Sequence, residues 1–256
     1  MRPATRVEWL KLRRSRTARA TAVVVCLSVP LTTVGMVVGA RSGRAGGAAA
    51  GKLEMLTADA TTTGHLGLAA QLLTVVALLG GGFLSTWVFG REFSDGTVGG
   101  LFALPVTRGR IAGAKMLLAA LVTVAMTTTA GCLTILGIVV IDGTALDPDA
   151  AGRAWALLGG GALTSLLTPV FGLVASLARS YLAGVGALIA TVAAAQLVVT
   201  FGGGLWFPFA VPALWSGAGG TDMAAAVGPE HLATVPVFAA LVTWATIRTW
   251  NRLRLD

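Results

Sequence analysis

Thr61 to Gly90 reads TTTGHLGLAAQLLTVVALLGGGFLSTWVFG, thirty residues without one Asp, Glu, Lys or Arg. A helix crossing a bilayer needs about 20 mainly apolar residues, whereas runs of about 10–14 belong more often to the core of a soluble protein. This stretch is long enough to cross. Further charge-free segments lie at 20–40, 116–141, 154–178, 181–221 and 232–247. Hydrophobic residues make up 55% of the 256 positions and charged residues 12%. Soluble domains average about 45–50% and about 25%, so water could not hydrate the surface of such a chain.

The segment 181–221 exceeds one span, and Gly202-Gly203-Gly204 followed by Pro208 and Pro212 marks where its helix stops. The run that follows, Leu205 to Trp215 (LWFPFAVPALW), is too apolar for an ordinary outer loop, and aromatics at headgroup level explain its composition. Leu232–Ile247 is short but counts as a span, because Pro229, Glu230 and His231 can sit in the headgroups while Arg248 snorkels at the other side. The expectation is an all-α membrane protein, one transmembrane domain over 1–256. Its spans fall near 20–40, 64–90, 116–141, 154–178, 181–201 and 232–247.

Sidedness follows from the basic residues, which concentrate on the cytoplasmic side of membrane proteins. Arg2, Arg6, Lys11, Arg13, Arg14, Arg16 and Arg19 precede the first span, and Arg91, Arg108, Arg110 and Lys115 fall between the second and third. Arg179 follows the fourth, and Arg248, Arg252 and Arg254 follow the sixth. The remaining connections hold only Arg41, Arg44, Lys52 and Arg153. Both termini are therefore expected in the cytoplasm. The net charge of +8 reads as topology and attraction to anionic lipid, with no call for nucleic acid.

Several motifs look chemical and are better read as structural. The first span is too apolar for too long to be a signal peptide, whose core is about 7–15 residues. Gly46 to Leu53 (GGAAAGKL) resembles a phosphate loop, but Leu53 stands where magnesium needs Ser or Thr, and no strand precedes it. Cys26 and Cys132 fall inside spans as packing residues. His65 and His231, near Asp59 and Glu230, read as interfacial polar residues rather than metal ligands. Apart from His65 at the outer end of its run, the charge-free segments contain no carboxylate, histidine or basic residue, which argues against proton-coupled carriers and membrane enzymes. Gln71 and Gln196 sit at matching depths, about 8–10 Å below the outer boundary; they could line one pathway or bond helix to helix. The runs Gly80–Gly82 and Gly159–Gly161 permit close helix packing, and Pro30 and Pro169 are candidate kinks.

The connection 91–115 reads REFSDGTVGGLFALPVTRGRIAGAK, too apolar for a free loop. With Asp95 as N-cap and Pro105 as stop, about two helical turns place Val98, Leu101 and Phe102 on one face. That face needs a cover: the membrane, the chain's own helices, or a partner. In the N-terminal segment, about 5–16, the basic residues and Trp9 suit a membrane-surface helix, although its apolar residues are spread around the wheel.

Glu92, Phe93, Gly96, Thr97, Pro105, Arg108 and Lys115 together resemble the loop of ABC-2-type permeases, in which a Glu-aromatic-x-x-Gly-Thr segment precedes Pro-x-x-Arg and a Lys that opens the third span. Glu8, Trp9, Lys11 and Arg13 are similar to that family's N-terminal interfacial helix. The resemblance implies the permease subunit of an ATP-driven exporter of a hydrophobic or amphipathic compound. It further implies pairing with itself or a sister chain, residence in the bacterial inner membrane, and a re-entrant-like outer segment at Leu205 to Trp215 between the fifth and sixth spans. The 91–115 loop would act as a coupling helix on a separate ATPase, two copies per transporter, with Val98, Leu101 and Phe102 as anchors and Arg108 as a charge for an acidic surface. ATP and Mg would bind that ATPase, and no cofactor would bind this chain. Glu92 would pair with a base of the N-terminal helix, for instance Arg13. The alternative is a non-transporting membrane anchor or sensor.

Overall fold

The computed structural model describes residues 2–42, 61–102, 105–143, 145–218 and 220–253. The phosphate-loop look-alike at 46–53 and Asp59 lie outside these. Among the described residues the structure is helical throughout, without strands. A first helix α1 (Arg2–Arg14) leads into α2 (Arg16–Arg41), then come α3 (Thr62–Ser94), a short α4 (Val98–Phe102) and α5 (Arg108–Asp142). α6 (Pro148–Leu167) and α7 (Val170–Leu177) form one interrupted span, followed by α8 (Tyr181–Thr200). The turn Gly204–Trp206, α9 (Val211–Trp215) and α10 (Thr221–Ala226) connect to α11 (Pro229–Arg252). Among the described residues six helices are thus long and apolar enough to cross a membrane.

These helices outrun the charge-free segments. α5 starts at Arg108 rather than near 116, and α3 ends at Ser94 rather than Gly90. Helix length is set by backbone hydrogen bonds and caps, not by charge, so Glu92 and Lys115 lie within helices and the connection shrinks to 95–107. Pro169 behaves as expected: without an N–H it breaks the fourth span between Leu167 and Val170. Pro30 sits inside α2, and Pro236 inside α11.

α3 is the hub, packed against α2, α5, α6, α7 and α8. Its glycine run explains how one helix serves so many neighbours. A Cβ on Gly80 would meet Val25 at 2.2 Å, one on Gly81 would meet Thr123 at 2.3 Å, and one on Gly82 would meet Leu188 at 2.7 Å. Three consecutive residues point about 100° apart, so three different helices approach the backbone at one level. The second run does the same for the outer segment: Cβ atoms on Gly159 and Gly160 would fall 2.6 Å from the Trp215 ring and 3.2 Å from the Pro212 carbonyl. α9 therefore folds back onto α6 and α3, burying Val211 and Leu214.

Candidate coupling end and membrane cavity

At the end of the bundle where α1 lies and α11 finishes, four charged side chains from three helices meet. Lys11 Nζ lies 2.7 Å from Glu8 Oε1 and 3.0 Å from Glu92 Oε1. Lys115 Nζ lies 3.0 Å from Glu92 Oε1, 3.0 Å from Glu8 Oε2, and donates to the Val88 carbonyl at 3.0 Å. Two acids and two bases balance in a largely buried place, with Lys115 1% exposed. Removing one member of such a set leaves an uncompensated buried charge and costs about 3–5 kcal/mol. On α1, burial pushes the Glu8 carboxyl up, but Lys115 and Lys11 outweigh it and hold Glu8 below the usual carboxylate range. For Lys11, burial acts downward and is outweighed by Glu8 and Glu92, which hold the ammonium above its usual range.

The partner of Glu92 on the N-terminal helix is Lys11 in place of the expected Arg13, which is exposed. Glu8, Lys11 and Leu12 share one face at i, i+3 and i+4, and Arg13 lies two residues, or about 200°, beyond Lys11. The outward side shows Val7, Trp9 and Leu10, each at least 40% exposed, which suits a helix lying at a membrane surface.

The motif Glu92-Phe93-x-x-Gly96-Thr97 has a backbone reason. Asp95 is the C-cap of α3, not the N-cap of a following helix. Gly96 takes φ +68°, and its amide donates to the Phe93 carbonyl at 3.3 Å while that of Thr97 reaches the Glu92 carbonyl at 3.0 Å. This is the left-handed termination that favours glycine. α4 then makes little more than one turn rather than two. Val98 and Leu101 face inward; Leu101 joins the core with Leu12, Val88 and Phe89. Their apolar face is thus covered by the chain's own helices, and the side chain of Phe102 lies outside the described residues. The surface left exposed is Ser94 to Thr97, Gly99, Gly100, Pro105 and Thr107.

Arg108 donates to the Leu253 carbonyl, and the Gly109 amide to Asn251 Oδ1 at 2.9 Å, tying the start of α5 to the end of α11. The residue that closes this end was not singled out in the sequence. Trp250 is fully buried, donates to Ser176 Oγ at 3.0 Å, and meets Phe89 edge-on at 5.7 Å and Phe93 at 6.1 Å. Its signal was the helical stripe Val235, Val242, Thr246 and Trp250, which with His231 are the buried positions of α11.

Toward the opposite end, Gln71 and Gln196 line one cavity of about 340 Å³ with Thr74, Thr164, Val192 and Phe209. Gln71 Nε2 also donates to the Gly217 carbonyl of the outer segment at 3.3 Å. The lining is apolar apart from two amides and two hydroxyls, a composition suited to an amphipathic molecule. The sequence pattern described as ABC-2 family transporter protein matches residues 4–202. The chain belongs to that family. No curated protein matches it.

As an ABC-2 permease the chain is a membrane transport component and not itself the ATPase, and such permeases generally work with an ABC ATPase. The match takes in the charged cluster, the α3–α5 turn and five spans of the permease, and ends before the outer segment and α11. At the far end Asp142 gathers Arg41 at 2.5 Å, Thr62 at 2.8 Å and His65 Nδ1 at 3.2 Å, fastening α2, α3 and α5 together. His231 accepts from the Gly228 amide at 3.0 Å, capping α11 of the permease. Each histidine thus has a structural partner, and the described residues hold no group of three potential metal ligands.

Proposed function

We propose that this ABC-2 permease is the membrane subunit of an ATP-driven exporter in the bacterial inner membrane, with both termini in the cytoplasm. The observation that carries the reading is the rigid seat of the exposed α3–α5 turn. Glu92, three residues before the Asp95 cap, is held to the N-terminal helix and to α5 through Lys11 and Lys115. A push on Asp95–Thr97, Gly99 and Gly100 would therefore move α1, α3 and α5 as one body, the kind of rigid shift a closing ATPase dimer could drive. Two permeases, identical or sister chains, would pair with two ATPase copies, and ATP and Mg would bind there. The cavity at Gln71 and Gln196 would take a hydrophobic or amphipathic compound, which favours transport over a membrane anchor or sensor.

The test is co-expression with an ABC-type ATPase, sought first in the adjacent reading frame. The ATPase should co-purify with the permease, and Gly99→Trp with Gly100→Trp should abolish recovery at an unchanged melting temperature, since a Cβ at either position meets nothing within 4 Å. An ATPase retained by the double variant removes the turn as the contact. In proteoliposomes, export substrates should stimulate ATP hydrolysis, and Gln71→Leu with Gln196→Leu should blunt the stimulation.

A further inference from the structure

The exposed side of α11 carries one stripe of graded polarity. Val237, Leu241 and Trp244 are each at least 57% exposed, and Arg248 and Arg252 follow them, also exposed. At about 100° per residue these five fall within about 80° of one another. The guanidinium of Arg248 is held over the Trp244 ring at 5.1 Å. Trp244, Arg248, Asn251 and Arg252 line a depression of about 300 Å³. Asn251 accepts the Gly109 amide through Oδ1, which leaves its NH₂ to donate. None of the ion pairs among the described residues uses Arg248 or Arg252.

We infer that this stripe is a binding site for an anionic phospholipid in the leaflet next to the chain termini. Its phosphate would lie between Arg248 and Arg252 with the Asn251 amide as a further donor, and an acyl chain would run along Leu241 and Val237. Arginine suits the headgroup because its planar fork matches phosphate oxygens. Tryptophan marks the depth at which apolar chain gives way to headgroup. The continuity of guanidinium, indole and aliphatic surface selects a lipid over a free anion, which would leave the lower half of the stripe unused. The site depends only on the chain being in a membrane, not on what it transports.

The test is native mass spectrometry of the purified permease mixed with phosphatidylglycerol and phosphatidylcholine. The protein should retain phosphatidylglycerol preferentially, and excess inorganic phosphate should not displace it. A basic residue near an anionic surface contributes about 1 kcal/mol, or about fivefold. Arg248→Gln with Arg252→Gln should therefore lower retention of phosphatidylglycerol on the order of twentyfold and leave phosphatidylcholine unchanged. Arg6→Gln with Arg19→Gln removes the same charge elsewhere at that end and should leave the preference intact. Should the α11 double variant not fold, Arg252→Gln alone should show about a fivefold loss. Equal losses in the two double variants would mean diffuse attraction, and displacement by phosphate would mean a free-anion site; either result overturns the inference, as does a second copy of the chain occupying the stripe in place of lipid.

Discussion

α3 and α8 are alike in sequence and opposite in setting. Both contain long charge-free apolar runs, yet α3 buries residues along its whole length while α8 buries only Gly184 and Leu188. Leu182, Ile189, Leu197 and Phe201, along and just beyond α8, are all more than half exposed. In a membrane apolar residues face lipid as readily as protein, so hydropathy finds the spans without saying which is central. What separates the two is detail at the backbone: α3 has three consecutive glycines in contact with neighbours and ends in a capped, ion-paired turn.

The sharpest way to break this contrast is Lys115→Met. Burying Glu8 and Glu92 with Lys11 as their only base should cost about 3–5 kcal/mol, read as a lower melting temperature in detergent and loss of the α3–α5 connection to protease. A melting temperature near that of the parent protein would mean the cluster does not hold α3. Next is Gly81→Leu, whose side chain has no room against Thr123 and Thr168. Overpacking of this kind costs about 1–3 kcal/mol, and thermal unfolding should show it.

A smaller effect comes from pH. Glu8 is held below its ordinary range, so its contribution is present above the unfolded carboxyl value of about 4.3 and is lost as pH falls through the lower folded value. Lys11 is held above its range, so its contribution is present below about 10.4 and lost as pH rises through the higher folded value. Melting temperature against pH should be level between these limits and fall outside them, and Glu8→Gln should flatten the acid limb. The smallest change is expected at Ile189→Ala, on the open face of α8, within about 0.5 kcal/mol in detergent. A larger loss would reveal that a partner, not lipid, covers that helix.

Six spans were legible because charge gaps mark them, and spacing and a family-like loop drew notice to Gln71, Gln196, Glu92 and Lys115, which the structure brings together as one cavity wall and one ion-paired cluster. The helix limits were less so, since Arg108 and Ser94 continue helices that a charge count ends early. Asp95 was misread as an N-cap because helix starts and stops draw on overlapping residue types; the deciding feature is the glycine two residues past the last helical position, Ser94. For Val98 and Leu101 the sequence left membrane, own helices or partner open and the resemblance implied a partner, whereas the inward fold of α4 turns that face to the chain's own core. Trp250 went unnoticed because its partners, Ser176, Phe89 and Phe93, come from other helices and only packing brings them together.

Coupling to an ATPase requires the α3–α5 turn to lie where ATP is found. Ser94 is exposed beside that turn, so Ser94→Cys in a background of Cys26→Ala and Cys132→Ala can be probed with a membrane-impermeant maleimide. Labelling should occur in inverted vesicles and not in intact cells; labelling in intact cells would contradict the proposed orientation and with it the coupling role of the turn.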